Sequence, residues 1–129
     1  MDYGINDEGI INLNNLDILN ASNNSKITNI NHMTKLKELH AYESCGINDG
    51  GIINLNNLDI LNASNNSKIT DINHTTKLRE LNASGTCGIV NLDNLEILDM
   101  DKNYQIRNIK HMAKIRKIYA FGSIFRYDE

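Results

Sequence analysis

Residues 4–45 and 46–87 are two copies of one 42-residue block, identical at 34 positions, and a shortened third copy covers residues 88–123. Self-similarity at a fixed period of this length marks an array in which each unit buries its apolar face only against its neighbours. Such a stack offers an extended surface for holding a partner before it offers a pocket for chemistry.

Each block divides again. The apolar positions run Leu13-x-x-Leu16-x-x-Leu19-x-Ala21-x-x-Asn24-x-x-Ile27-x-x-Ile30 and restart at Met33, Leu55, Thr75, Leu92 and Met112, giving six units of 17 to 22 residues. Residues 1–12 read as a partial first coil, a return half without its strand, so residues 1–129 form a single domain. The period-2 steps Leu19/Ala21, Leu39/Ala41, Leu61/Ala63, Leu81/Ala83, Leu98/Met100 and Ile118/Ala120 predict a short strand per unit, with two side chains turned inward. The period-3 steps on either side suit turns and short helical segments. The expected fold class is α/β, with six short parallel strands joined by short helical or irregular return segments. On one return segment, Asn48 or Asp49 is placed to cap a short helix through its side-chain oxygen. The third block lacks five residues there, over 88–92.

This pattern resembles the leucine-rich repeat family, L-x-x-L-x-L-x-x-N/C-x-L, over Leu13 to Ser123. Asn24-Ser-Lys-Ile27-Thr and Asn66-Ser-Lys-Ile69-Thr-Asp look like its cysteine-containing sub-type, with Asn in place of Cys. The composition, with 22 Asn and 19 Ile, is similar to that of repeat proteins of giant viruses infecting amoebae, and it is also what an AT-rich genome produces. The resemblance implies a right-handed solenoid with its strands on the concave face and a general role in protein–protein interaction, in a fold that hosts many functions.

The residue after each strand, Asn24, Ser44, Asn66, Thr86, Asn103 and Ser123, both donates and accepts hydrogen bonds, which suits a turn where backbone groups leave the sheet. These six form an expected structural ladder. Outward strand positions fall in three columns: Ile18, Glu38, Ile60, Glu80, Ile97, Lys117; then Asn20, His40, Asn62, Asn82, Asp99, Tyr119; then Ser22, Tyr42, Ser64, Ser84, Asp101, Phe121. At about 4.8 Å per strand they span roughly 25 Å, enough for a peptide or the edge of a domain. The expected partner-binding residues are Glu38, His40, Tyr42, Asn62, Glu80, Asn82, Asp99, Asp101, Tyr119 and Phe121. Three of the eight differences between the long blocks, His40/Asn82, Tyr42/Ser84 and Glu43/Gly85, fall on or beside this face. Tyr42, Tyr119 and Phe121 are the aromatic anchors, as such side chains dominate interfaces, although Tyr119 and Phe121 also suit a cover for the last coil.

Nothing here reads as an enzyme. His32, His74 and His111 recur at matched places, but matched places two coils apart lie about 10 Å from each other and share no metal ion. Glu38, His40 and Tyr42 put an acid, a base and a hydroxyl in one strip, yet all three turn outward on one exposed strand, where contact with a partner is the simpler use. Phosphate-loop, nucleophile-elbow and paired-cysteine zinc motifs are missing, and Asp49-Gly50-Gly51 lacks the lysine of a phosphate loop. No cofactor or metal is expected.

Net charge is −3, divided between −8 over residues 1–101 and +5 over residues 102–129. An acidic protein whose bases, Lys102, Arg107, Lys110, Lys114, Arg116 and Lys117, are spread around a coil is an unlikely partner for nucleic acid. The longest apolar runs fall well short of the roughly 18 residues a membrane span needs, and MDYGINDEGI lacks the regions of a secretory signal. A cytoplasmic setting follows, host cytoplasm if the chain is viral. Cys45 and Cys87 agree, being about 10 Å apart at the usual strand spacing and too far for a disulfide. The Asn-x-Ser sequons from Asn20, Asn23, Asn62, Asn65 and Asn82 are the chance product of abundant asparagine. The favoured function is a module that binds a protein partner through the concave face. The alternative is a self-associating structural array, a homo-oligomer joined through under-capped ends, and the same ends also fit a piece of a longer array.

Overall fold

The computed structural model describes residues 4–89 and 93–121. Its strands are β1 (Ile18–Asn20), β2 (Glu38–His40), β3 (Ile60–Asn62), β4 (Glu80–Asn82), β5 (Ile97–Asp99) and β6 (Lys117–Tyr119). They form one parallel sheet in the order β1-β2-β3-β4-β5-β6. Each strand lies in one turn of a solenoid-like chain, and these turns, with the bounds of the six sequence units, are called coils 1 to 6 below. Helix among the described residues is limited to two 3-10 turns, Glu8–Ile10 and Asp49–Ile52. Asn48 caps the second, its side chain accepting from the Gly51 N–H at 3.0 Å.

Every strand is three residues long, because only its middle residue faces in. Leu19, Leu39, Leu61, Leu81, Leu98 and Ile118 stand in one column, each directly opposite its neighbour. Ala21, Ala41, Ala63 and Ala83 follow two residues later, all buried, and their small size lets successive coils approach. Return segments add Ile30, Met33, Leu36, Ile47, Ile52, Leu55, Leu58, Ile69, Leu78 and Ile89 to the same core. Burial of each large side chain contributes about 1.5 to 3 kcal/mol. Where Met33 recurs as Thr75, also buried, the hydroxyl donates to the Ile72 carbonyl at 2.5 Å and no polar atom is stranded.

The expected ladder needs correction in the even coils. Asn66 and Asn103 are buried, and Asn24 makes the same kind of bonds in coil 1. Asn66 Nδ2 donates to the carbonyls of Ala41 and Ile47 in the preceding coil at 2.7 and 3.2 Å, while Oδ1 accepts from Lys68 N–H at 3.0 Å. Asn103 reaches Ala83 and Cys87 in the same way, and Asn24 reaches Ile5. Ser44 and Thr86, by contrast, are exposed; the Ser44 hydroxyl donates to Asn23 Oδ1, and the Thr86 N–H donates to Asn65 Oδ1. In even coils the interior place falls one residue later, on fully buried Cys45 and Cys87. Neither thiol is bonded to another, and burial pushes Cys87 up to about 11. Ser123 lies outside the described residues.

One corner of the coil is left-handed in coils 1 to 5. Asn23, Glu43, Asn65, Gly85 and Lys102 hold φ between 54° and 67°, a conformation that costs a side-chain-bearing residue about 1–2 kcal/mol. The Glu43/Gly85 difference therefore lies at this turn, outside the binding columns.

A carboxylate joins coils on the return side. Asp49 accepts from the Thr70 N–H and hydroxyl and from the Asp71 N–H, and Asp7 meets Thr28 and Asn29 identically. In coil 5 the place of Thr70 is taken by Arg107, and the third block also lacks the aspartate. Burial alone raises the Asp49 carboxyl, but the Thr70 hydroxyl, the Thr70 amide and the Asp71 amide outweigh it and hold it below the usual range. A depressed carboxylate contributes stability above its unfolded value of about 3.9, and that stability is lost as pH falls through the lower folded value. Urea midpoints should therefore fall as pH drops below about 4. Asp49→Asn should start lower at neutral pH and lose less on acidification; equal losses in the two proteins would remove the clasp as a source of acid lability.

Candidate functional site

The outward columns follow from strand register. β1 to β6 align Ile18, Glu38, Ile60, Glu80, Ile97 and Lys117 in one row and Asn20, His40, Asn62, Asn82, Asp99 and Tyr119 in the next. Pairing continues past the strands, since the N–H groups of Asn23, Glu43, Asn65, Gly85 and Lys102 donate to the carbonyls of Tyr42, Ser64, Ser84, Asp101 and Phe121. All ten partner-binding candidates thus share one face. Asn62, Asn82, Asp99 and Asp101 are half-buried, as are Glu38, His40 and Tyr42, while Glu80, Tyr119 and Phe121 are exposed.

The asparagines have a second task, which the sequence reading missed. Asn62 Oδ1 accepts from both the N–H and the hydroxyl of Ser64, Asn82 does the same with Ser84, and Asn20 takes the Ser22 N–H. Each Asn-Ala-Ser triplet is thus a local turn lock. In coils 3 and 4 it leaves only the amide Nδ2 for a partner. Asp99 locks the Asp101 N–H, and Asp101 in turn accepts from Phe121 N–H. The abundance of Asn-x-Ser on this face therefore has a structural cause beyond composition.

Coil 2 departs from the lock. His40 replaces the asparagine and Tyr42 the serine, so no side-chain oxygen closes the turn from position 40. His40 Nε2 instead donates to Glu38 Oε1 at 2.7 Å, and the Tyr42 N–H reaches Ser22 Oγ on coil 1 at 3.4 Å. Both members of the His–Glu pair keep 28% of their side-chain surface in solvent. Coil 2 consequently presents an imidazole, a carboxylate and a phenol ring to the outside, flanked by Asn20, Ser22, Asn62 and Ser64. At the far edge Lys117 sits 5.1 Å from the Tyr119 ring centroid, a cation–π contact, and Phe121 is 81% exposed, so it does not cover the last coil.

The remaining histidines serve the scaffold. His32 and His74 direct Nε2 to the carbonyls of Ile10 and Ile52 on the preceding coil, at 2.9 and 2.8 Å, and His111 pairs with Asp93 at 3.3 Å. Among the described residues no three His, Cys, Asp or Glu side chains converge, and no helix is long and apolar enough to cross a membrane.

A second surface feature was also missed. The residue directly before each strand alternates in sign: Asp17, Lys37, Asp59, Arg79, Glu96, Arg116. Arg79 binds Asp59 through two bonds of 2.6 and 2.8 Å and approaches Glu96 at 3.6 Å. The Arg79 bonds, then the charges of Arg79 and Lys37, hold the Asp59 carboxyl below its usual range. At this exposure such pairs add little stability; Arg79 links coil 4 to coils 3 and 5. The signal was present in the sequence as one column of opposite charges at the repeat period. In comparisons with known proteins, no family model matches the chain and no curated protein matches it.

Proposed function

We propose that the chain is a right-handed leucine-rich repeat solenoid that binds a protein partner through the strand face, without catalysis. The observation that carries this reading is the exchange at coil 2. Coils 1, 3 and 4 keep the Asn-Ala-Ser lock, whereas His40 and Tyr42 give it up and add an aromatic ring, the residue class that anchors interfaces. Six aligned strands supply the extent, and Asp99 with Asp101 supplies an acidic patch for a partner's basic side chains. The shallow, open character of the face supports binding over acid–base chemistry at His40. Two buried free thiols support a cytosolic setting.

The decisive variant rewrites coil 2 as coil 4, with His40→Asn and Tyr42→Ser together. Both changes copy a sequence the scaffold already holds at Asn82 and Ser84, so the fold should persist, with an unchanged melting temperature. Affinity capture from the source cell should then lose the proteins retained by the original chain. Retention of the same proteins by this variant and by Asp99→Lys would sink the reading.

A further inference from the structure

The first outward row of the sheet alternates between two chemistries. On the inner strands, each paired on both sides, Glu38 of β2 stands beside Ile60 of β3, Ile60 beside Glu80 of β4, and Glu80 beside Ile97 of β5. Both isoleucines are half-buried, and neither belongs to the core cluster. Each therefore offers apolar area that a partner can take out of water. Glu80 is exposed, and Glu38 gives Oε1 to His40, which leaves Oε2 for a basic group.

The spacing of this row selects the partner's backbone. Neighbouring strands lie about 4.8 Å apart, so the four side chains stand at about 0, 4.8, 9.6 and 14.4 Å along the row. An α-helix rises about 1.5 Å per residue, and its residues i, i+3, i+7 and i+10, which share one face, stand at about 0, 4.5, 10.5 and 15 Å. The two series agree to within about 1 Å. An extended strand repeats a face about every 6.8 Å and polyproline II about every 9.3 Å, so neither meets all members of the row. The face is also one helix wide: its three outward residues per coil spread over about 13 Å, against about 10–12 Å for a helix with its side chains.

Charge sets the rest of the partner's chemistry. Glu38, Glu80, Asp99 and Asp101 place carboxylates along β2 to β5, where the outward columns hold no lysine or arginine. Asn62 and Asn82 add only amide donors, because Ser64 and Ser84 occupy their oxygens.

We propose that the partner docks through a basic amphipathic helix lying across the strands, with Lys or Arg over Glu38 and Glu80 and aliphatic side chains over Ile60 and Ile97. This rests on the strand-face reading and names the chemistry of the segment that occupies the face. Basic and aliphatic residues alternate three and four positions apart along one face of the helix, the form in which a groove reads an amphipathic helix.

An alanine-rich, end-capped peptide of about 21 residues, long enough to be helical in water, tests this with lysine at the first and leucine at the fourth place of each seven. Added to the full chain at low salt, its labelled form should show a saturable rise in fluorescence anisotropy. A peptide with the same residues redistributed around the helix, and one with glutamate for lysine, should each bind at least about tenfold more weakly. Glu38→Gln with Glu80→Gln, and separately Ile60→Ser with Ile97→Ser, should each weaken binding about tenfold. Circular dichroism should not change, because none of the four side chains is in the core. No binding at millimolar peptide, equal binding of the redistributed peptide, variants that bind like the parent chain, or tighter binding of the glutamate peptide or of a proline-rich extended peptide carrying the same lysines and leucines would each overturn the proposal. The peptide controls decide even if a variant fails to fold. If His40→Asn with Tyr42→Ser abolishes capture from the source cell while the helical peptide does not bind, the helix proposal falls and the strand-face reading stands.

Discussion

Asn66→Ala should lower the unfolding free energy by about 3 kcal/mol, while Ser44→Ala and Thr86→Ala should each cost under about 0.5 kcal/mol. Asn66 is 1% exposed, and removing its amide leaves the carbonyls of Ala41 and Ile47 and the N–H of Lys68 without their partner in the core. A buried polar group left unpaired costs about 1–3 kcal/mol, and relaxation recovers part of that for three such groups. Asn66→Asp should be no better, since it aims a carboxylate at two carbonyl oxygens. Urea unfolding of the four variants beside the parent measures the contrast. Equal effects at Asn66 and Ser44 would mean that the buried amide clamp is not what distinguishes odd coils from even ones.

A comparable loss is expected from a single methyl group. At Gly51 an added Cβ would fall on the Thr28 carbonyl oxygen of the neighbouring coil, far inside contact distance. That oxygen belongs to backbone, and Gly51 itself accepts the Ile30 N–H at 3.0 Å, so the two coils have no flexible side chain to move aside. Gly51→Ala should therefore cost about 3 kcal/mol, at the upper end of overpacking effects. Gly9 occupies the same place in the first block, yet the nearest atom to its added Cβ is the tip of Ile5, at 3.1 Å. Gly9→Ala should cost under about 1 kcal/mol. Thermal melts of the two variants make the comparison, and similar shifts would show that coil-to-coil approach is not limiting at Gly51.

The contrast between Gly9 and Gly51 shows where sequence reasoning stops. Strand positions and facing columns were legible because a period of two leaves one choice of inward residue, and Leu39 or Leu61 could not be placed elsewhere without exposing its whole coil. Ser44 and Thr86 were misplaced because the three-residue step from Ala21 to Asn24 was carried into even coils, where the buried side chain is Cys45 or Cys87, one residue later. The left-handed corner was hidden by its occupants, since Asn, Glu, Gly and Lys share no chemistry and only the backbone unites them. On the candidate face, exposure and order were readable from Asn20 to Tyr119, but the use of Asn62 and Asn82 as turn locks was not, because it depends on a bond between side chains two residues apart. The Asp49–Thr70 clasp spans coils 21 positions apart. Its one sequence trace is the joint loss of both partners in the third block, where Arg107 stands for the threonine.

The bonds between coils also restrict how such a chain can change length. Asn66, His74 and Asp49 reach across the step from an even coil to an odd one, whereas Lys77 and Arg79 reach back within a pair to Asn57 and Asp59. Inserting or deleting one coil would set an odd coil against another odd coil and place acid beside acid at the position of Asp59. Recombination that preserves every connection must therefore add or remove both coils together. The pair of coils, not the single coil, is the smallest insertion this architecture accepts without mismatched neighbours.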